Sequence, residues 1–418
     1  MTALGALIGL FLSILLIIKK IHPVYSLMIG AVLGGLLGGV SLTGTMTSMV
    51  DGVKDVSPAV IRILSAGVLS GVLIGTGAAA TISNAIIRKL GVRHVFFALA
   101  FATFLLCAVG VFIDVAVITV APIALVLGKR LEIPVPVLLI AMVGGGKSGN
   151  IISPNPNTII AAENFGADLS SVMFYGAVPA LIGLITTVLL TKLLARKHTV
   201  RSTAPLFLQE QPEGQEQLPP LWISLLTPLV AIVLLALRPL FGLVVDPLVA
   251  LPAGGLFGIL CMGYGRKTGE LLRLGLQKMT PVAILLIGTG AIAGVIKHST
   301  LKDEILSLLG HLNLSDIIIA PVSGALMSAA TASTTAGAML ASASFADIVL
   351  GIGVPAAWGA LMVNAGATVL DHLPHGSFFH TTGGVCELSF KERLKLVPYE
   401  TLIGTVLATA STLLYLLF

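Results

Sequence analysis

The sequence predicts an all-α, polytopic membrane protein made of two inverted-topology repeats, with discontinuous helices or hairpins meeting near the bilayer midplane. Three observations carry this expectation. Of the 418 residues 56% are hydrophobic and only 10% charged, with a mean hydropathy of +1.04, whereas a water-soluble domain carries about 25% charged residues. The chain matches itself when shifted by about 220 residues. Two segments rich in Gly, Pro, Asn, Ser and His also interrupt apolar runs at corresponding places in the two halves.

A hydrocarbon core about 30 Å thick takes roughly 20 helical residues. Apolar runs of that kind lie at 3–18, 24–41, 58–87, 94–110, 111–128, 134–165, 172–194, 219–241, 244–264, 280–297, 314–330, 331–349, 354–384 and 396–418. The 46 glycines allow close helix packing. No basic residue precedes the first run, and Lys19 and Lys20 follow it, so a retained span is expected there rather than a cleavable leader. Cys107, Cys261 and Cys386 stand far apart in apolar segments, which excludes a disulfide framework and a CxxC metal site. The net charge of +5 comes from short clusters between apolar runs, a pattern of membrane topology and not of nucleic-acid binding.

One long polar stretch, Arg196 to Pro220, divides the chain, giving a first repeat at 1–195, a cytoplasmic linker at 196–219 and a second repeat at 220–418. At the shift, Ile133-Pro134 falls on Val354-Pro355, Met142 on Met362, Ser153-Pro154 on Leu373-Pro374, and Val178-Pro179 on Val397-Pro398. With Lys19 and Lys20 inside, alternate crossings put the basic residues around Arg88, Lys129, Lys192, Arg266, Lys278 and Lys391 to Lys395 on the same side. The basic loop Arg266 to Lys278 then matches the nearly neutral Ser41 to Val56, so equivalent loops lie on opposite membrane faces. Inverted repeats that meet near the midplane are an architecture of secondary transporters.

In lipid, irregular backbone survives only inside protein or along a cavity, which makes the helix breaks the candidate site. The first break, Gly144 to Thr158, offers Lys147, Ser148, Asn150, Ser153, Asn155, Asn157 and Thr158 for substrate binding; the second, Asn364 to Ser377, offers His372 and Ser377. Half-helices that restart there aim positive N-terminal ends inward, which suits an anion. Lys147, Asp371, His372 and His375 are ionisable at apparent membrane depth and costly unless paired or hydrated. Lys147 either meets a carboxylate, neutralises Asp114 or Asp371, or snorkels to a surface. A second pair of repeat mates, Val111 to Ala116 and Thr331 to Ala336, sits between short apolar runs and adds Thr334 and Thr335 as binding candidates. These runs form two spans or a hairpin. Asp114, Asp371 and His375 are the candidates for proton coupling, with an exposed loop position the alternative for Asp114. Arg62 is placed near the interface.

Ala141 to Ser148 resembles a nucleotide-binding loop only loosely, lacking its first Gly and any preceding strand. Pro374 disrupts the helical spacing that Asp371, His372, His375 and His380 would need to hold a metal, so neither metal nor cofactor is expected. The reading is of a carrier, not an enzyme. Its competitors are a sodium-coupled carboxylate carrier or cation/proton antiporter, and an intramembrane metalloenzyme built on Asp371, His372 and His375.

Two stretches, Ile133-Pro134 through Pro154-Asn155-Pro156 to Tyr175-Gly176, and Ala365-Gly366-Ala367-Thr368-Val369 through His372 and Phe378 to the closing helix, resemble the gluconate permease (GntP) family of proton-coupled sugar-acid symporters in the ion transporter superfamily. The resemblance spans essentially the whole chain. It implies uptake of a small organic anion, a gluconate-like hydroxy-carboxylate, with protons across the cell inner membrane through paired discontinuous helices, in a homodimer. Pro154, Pro156, His372 and Phe378 carry over from the family's segments, and Asp114 stands where the family has Glu; Asn155, Asn157 and Asp371 depart from those segments.

Overall fold

The computed structural model describes residues 1–91, 94–197, 218–241, 243–301, 304, 316–374 and 376–417, and every element among them is helical. The first half contains α1 (Ala3–Ile18), α2 (Pro23–Leu37), α3 (Leu42–Gly75), α4 (Ala78–Leu90), α5 (Val95–Ala108), α6 (Ile113–Leu131), α7 (Val135–Asn150), α8 (Pro156–Asn164) and α9 (Leu169–Lys197). The second contains α10 (Leu221–Phe241), α11 (Pro247–Cys261), α12 (Thr268–Lys297), α13 (Ile319–Thr331), α14 (Thr334–Gly351), α15 (Ala356–Ala367), α16 (Ser377–Val385), α17 (Phe390–Leu394) and α18 (Val397–Leu417). Five helical stretches among the described residues are long and apolar enough to span a bilayer. Leu4, Phe11, Phe174, Leu260 and Leu417 are among the many large apolar side chains exposed around the outside, where lipid rather than water is the matching solvent.

Several boundaries differ from the sequence expectation. Helix α3 begins at Leu42 instead of 58, and α12 at Thr268 instead of 280. Their extra turns carry Asp51, Lys54 and Asp55, or Glu270, Arg273 and Lys278, charges that lower hydropathy without breaking a helix. Ser41 caps α3 by accepting from the Gly44 N–H, and Pro58 and Pro281 are accommodated within the two long helices. Segments 94–110 and 111–128 are short helices joined at 109–112, where Gly110 takes φ +106°, a conformation that favours glycine. Their counterparts α13 and α14 turn through Ala332 (φ +46°) and Ser333, which caps α14 on the Ala336 N–H.

Each long apolar run with a polar interruption is a broken helix. After α7 ends at Asn150 the chain is irregular to Asn155, and Pro156 restarts it at the first helical position, where its missing N–H costs nothing. The same event separates α15 from α16; Pro156 and Ser377, which open the second halves, are 221 residues apart. Helices α3 and α12 run antiparallel along much of their length: Gly52 lies against Gly290 and Gly294, Gly67 against Gly275, and Gly71 against Leu271 and Gly275. A Cβ at Gly71 would stand 2.6 Å from the Gly275 nitrogen, so the backbones approach this closely only because neither carries a side chain. This pair forms a rigid wall, and the two hairpin tips and two helix breaks gather beside it.

Candidate functional site

A cavity of about 480 Å³ lies where these features meet. Its walls are the two hairpin tips (Phe112 to Val115 and Ala332 to Thr335), Asn150 and Asn157 of the first break, Asp371, Ser377 and Phe378 of the second, and Lys278, Pro281, Val282 and Leu285 of α12. Residues in the first turns of four helices, α6, α8, α14 and α16, therefore face one space. Asn155 caps α8 and Ser333 caps α14, whereas α6 and α16 have no side-chain cap and keep their leading N–H groups for another partner. Asn150 is buried, yet its amide nitrogen has no hydrogen-bond partner among the described residues.

Behind the cavity the breaks are bolted together. The Lys147 ammonium, fully buried, donates to the Thr368 carbonyl and to Asp371 Oδ1, both at 2.5 Å, and lies 2.8 Å from His372 Nδ1. Asp371 Oδ2 accepts from the Thr334 hydroxyl at 2.5 Å, which ties a hairpin tip to the second break. Thr335 donates to Asn157 Oδ1 at 2.6 Å, and Asn364 donates to Thr158 at 3.1 Å. His372 Nε2 lies 3.0 Å from the Val397 carbonyl; since a carbonyl only accepts, Nε2 carries the proton and Nδ1 accepts from Lys147. A second buried pair stands next to this cluster. Arg393 donates with both terminal nitrogens to Glu400, whose Oε2 is 4.0 Å from His372 Nδ1. With His372 neutral, the Lys147–Asp371 and Arg393–Glu400 pairs leave this interior without net charge, as burial in lipid demands.

Of the residues singled out from sequence, Asp114, Asn150, Asn157, Thr334, Thr335, Asp371 and Ser377 line the cavity. Lys147, Ser148, Ser153, Asn155, Thr158 and His372 are buried outside its lining. Among the three readings of Lys147, the structure gives neutralisation of Asp371. Ser148 bonds back to the Gly144 carbonyl within its own helix, and Asn155 holds the break by bonding Asn150 and capping α8. Asp114 is half-buried on the cavity wall, and no described residue forms an ion pair with it. His375 lies outside the described residues.

Arg393, counted from sequence among the basic residues of an inner loop, is only 1% exposed; a guanidinium can be buried here because Glu400, Thr382 and the Phe379 carbonyl take its donors. Sequence reasoning missed Glu400 because a single acid at the start of an apolar run reads as interfacial. It passed over Asn364 as well, although that residue sits among the glycines of the second break. Arg62, expected at the interface, is half-buried and bound to Glu163 and Asp246.

The sequence model described as GntP family permease matches residues 1–418. A Haemophilus influenzae protein called an uncharacterized transporter is 51% identical over 417 residues, covering 100% of this chain and 99% of its own. A high-affinity gluconate transporter of Escherichia coli K12 is 25% identical over 435 residues (96% of each chain), and a D-serine transporter of the same strain is 22% identical over 437 residues (98% of this chain, 96% of its own). Among solved structures, the YdaH transporter of Alcanivorax borkumensis superposes with a TM-score of 0.64 over 88% of this chain and 87% of that one at 13% identity, a likeness of fold alone.

Proposed function

The chain belongs to the GntP permease family, a family of multi-pass membrane transporters, and from that premise we propose that it imports a small hydroxy-carboxylate of the gluconate kind with protons across the cell inner membrane. The observation that carries this reading is the meeting of four helix N-termini at one cavity. Each end presents roughly half a positive charge, and the uncapped starts of α6 and α16 add free N–H groups, a preformed seat for a carboxylate. The uncapped first turn of α16, with Ser377, and the unpartnered amide of Asn150 are the donors for the substrate, and Asn157, Thr334 and Thr335 receive its hydroxyl groups. Lys147 acts from behind by holding Asp371 in place, His372 accepts from Lys147 and so fixes it there, and Ser148, Ser153, Asn155 and Thr158 shape the first break.

Coupling follows from charge. Asp114 shares the cavity and no described residue forms an ion pair with it, so an entering anion is better tolerated when Asp114 takes up a proton. A monoanion is driven inward by the membrane potential only when more than one positive charge accompanies it; His375 is the candidate for the second carrier, and Asp371 serves only if its bond to Lys147 opens during transport. The halves 1–195 and 220–418, joined by 196–219, act as inverted repeats. The antiparallel course of the corresponding helices α3 and α12 supports this, as does the shared 221-residue offset of the restarted helices. Lys278, an exposed residue toward the basic end of α12, borders the cavity, which supports access from the cytoplasmic side.

Radiolabelled gluconate uptake into proteoliposomes tests the reading. An inward proton gradient should accelerate accumulation and a sodium gradient should not; uptake indifferent to both gradients refutes proton symport. A thermal-shift screen of carboxylates and D-serine identifies the substrate if gluconate fails. The sodium-coupled alternative draws on Ser153 Oγ and Asn364 Oδ1, buried oxygens without partners at the breaks. Thermal stabilisation by sodium without any organic acid would favour it.

A further inference from the structure

The 220-residue shift maps most of the cavity onto itself. Phe112 to Val115 falls on Ala332 to Thr335, and Asn157 on Ser377; all of these line the cavity. Besides Asn150, Asp371 and Phe378, one wall departs from this symmetry. Lys278, Pro281, Val282 and Leu285 of α12 border the cavity, whereas their counterparts on α3 do not. In these two helices the offset is 223, which lays Pro58 on Pro281 and Gly52, Gly67 and Gly71 on Gly275, Gly290 and Gly294, so the counterparts are Asp55, Pro58, Ala59 and Arg62. At that place Arg62 crosses between elements. Its Nε and Nη2 donate to the carboxylate of Asp246 at 3.1 and 2.8 Å, and Nη1 donates to Glu163. Asp246 caps α11, and Glu163 lies in the last turn of α8, the half-helix beyond the first break. The Arg62 and Glu163 side chains are about three-quarters buried, 26% and 24% exposed, so the bond is sheltered from the screening that weakens surface pairs. The corresponding positions in the other half, matched helix by helix, are Leu285, Gly384 and His22, which offer no arginine and no carboxylate for such a bridge. The bridge therefore exists on one side of a two-sided framework, and the cavity borders α12, with its exposed Lys278, on the other.

We propose that Arg62, Glu163 and Asp246 form a latch that shuts the path along α3 while the cavity stands open along α12, and that the Arg62–Glu163 arm parts when the site turns to face the opposite side. Asp246 holds Arg62 in position between turnovers, because it binds through two nitrogens and belongs to a helix packed on α3. Glu163 is the arm that releases, because it belongs to the broken-helix unit that carries the cavity wall. This inference rests on the two-sided transport reading, but its test needs no substrate.

Ser65 is the reporter, lying one turn beyond Arg62 on α3 and outside the binding residues. In a Cys261→Ser background, which removes the exposed native thiol and leaves Cys107 and Cys386 buried, Ser65→Cys is reacted with a polar maleimide in the full-length protein in lipid nanodiscs. Glu163→Gln should raise the rate about fivefold, the effect of removing roughly 1 kcal/mol from the closed state. Arg62→Gln releases the same arm and should do likewise if Glu163→Gln purifies poorly. Asp246→Asn leaves the Arg62–Glu163 arm in place and should leave the rate near that of the parent. Equal rates in the parent and both arm variants overturn the latch, and so does an Asp246→Asn rate as high as that of Glu163→Gln, which would indicate general loosening. Faster labelling in a protein that takes up no gluconate upholds the latch and removes only the substrate reading.

Discussion

Replacing Lys147 by Met tests whether the buried charges are structural bolts. Lys147 is 0% and Asp371 2% exposed, and the ammonium uses its three protons on the Thr368 carbonyl, Asp371 and His372. The Met variant removes the cation and leaves the Asp371 carboxylate with only the Thr334 hydroxyl as donor in a low-dielectric interior. Breaking one member out of a buried pair costs about 3–5 kcal/mol, most of it the desolvation of the partner left behind. Asp371→Asn alone strands the opposite charge and should cost a similar amount. The double variant Lys147→Met/Asp371→Asn strands neither, so its loss should fall well below the sum of the singles, with a coupling energy of at least 2 kcal/mol in magnitude. Unfolding midpoints of the four proteins, measured in the same micelles near neutral pH, close the cycle. Strictly additive losses, or a Lys147→Met variant as stable as the parent, would refute the argument. The double variant should also fold and yet transport poorly, because Asp371 lines the cavity.

Asp114→Asn should retain substrate binding and counterflow exchange but lose the accumulation driven by an inward proton gradient, as separate exchange and net-uptake assays would show. Thr335→Val leaves Asn157 Oδ1 buried without its donor, so about 1–3 kcal/mol should be lost and KM for uptake should rise, because the hairpin tip is no longer tied to the first break. Glu400→Gln strands the buried guanidinium of Arg393 and should lower the unfolding midpoint far more than Glu392→Gln, whose parent carboxylate lies on the surface. Gly275→Val drives methyl groups into the Gly67 carbonyl and should cost about 1–3 kcal/mol by forcing α3 and α12 apart, detectable as a lower midpoint with impaired uptake.

The breaks were legible from sequence because proline and glycine act locally. Pro154 and Pro156 cannot continue a hydrogen-bond ladder, wherever the rest of the chain lies. Asp114, Asn157 and Thr334 were likewise visible as polar residues inside apolar runs too long to tolerate them. Helix starts were less legible: Asp51, Lys54 and Asp55 hide the beginning of α3 from a hydropathy window, although charge at an exposed helix end does nothing to stop the backbone hydrogen bonds.

Membrane residence, the family, the two broken helices and the roster of polar residues near them were determined by the sequence alone, since each depends on composition or on neighbours a few positions apart. Only the tertiary structure decided which of those polar residues face the cavity and which hold it together. Lys147 is closed off by Asp371, Arg393 is buried on Glu400, and Arg62 spans to Glu163 and Asp246, partners 224, 7, 101 and 184 positions away. A charge in lipid must be matched by another charge in space, and chain folding, not sequence proximity, selects which one.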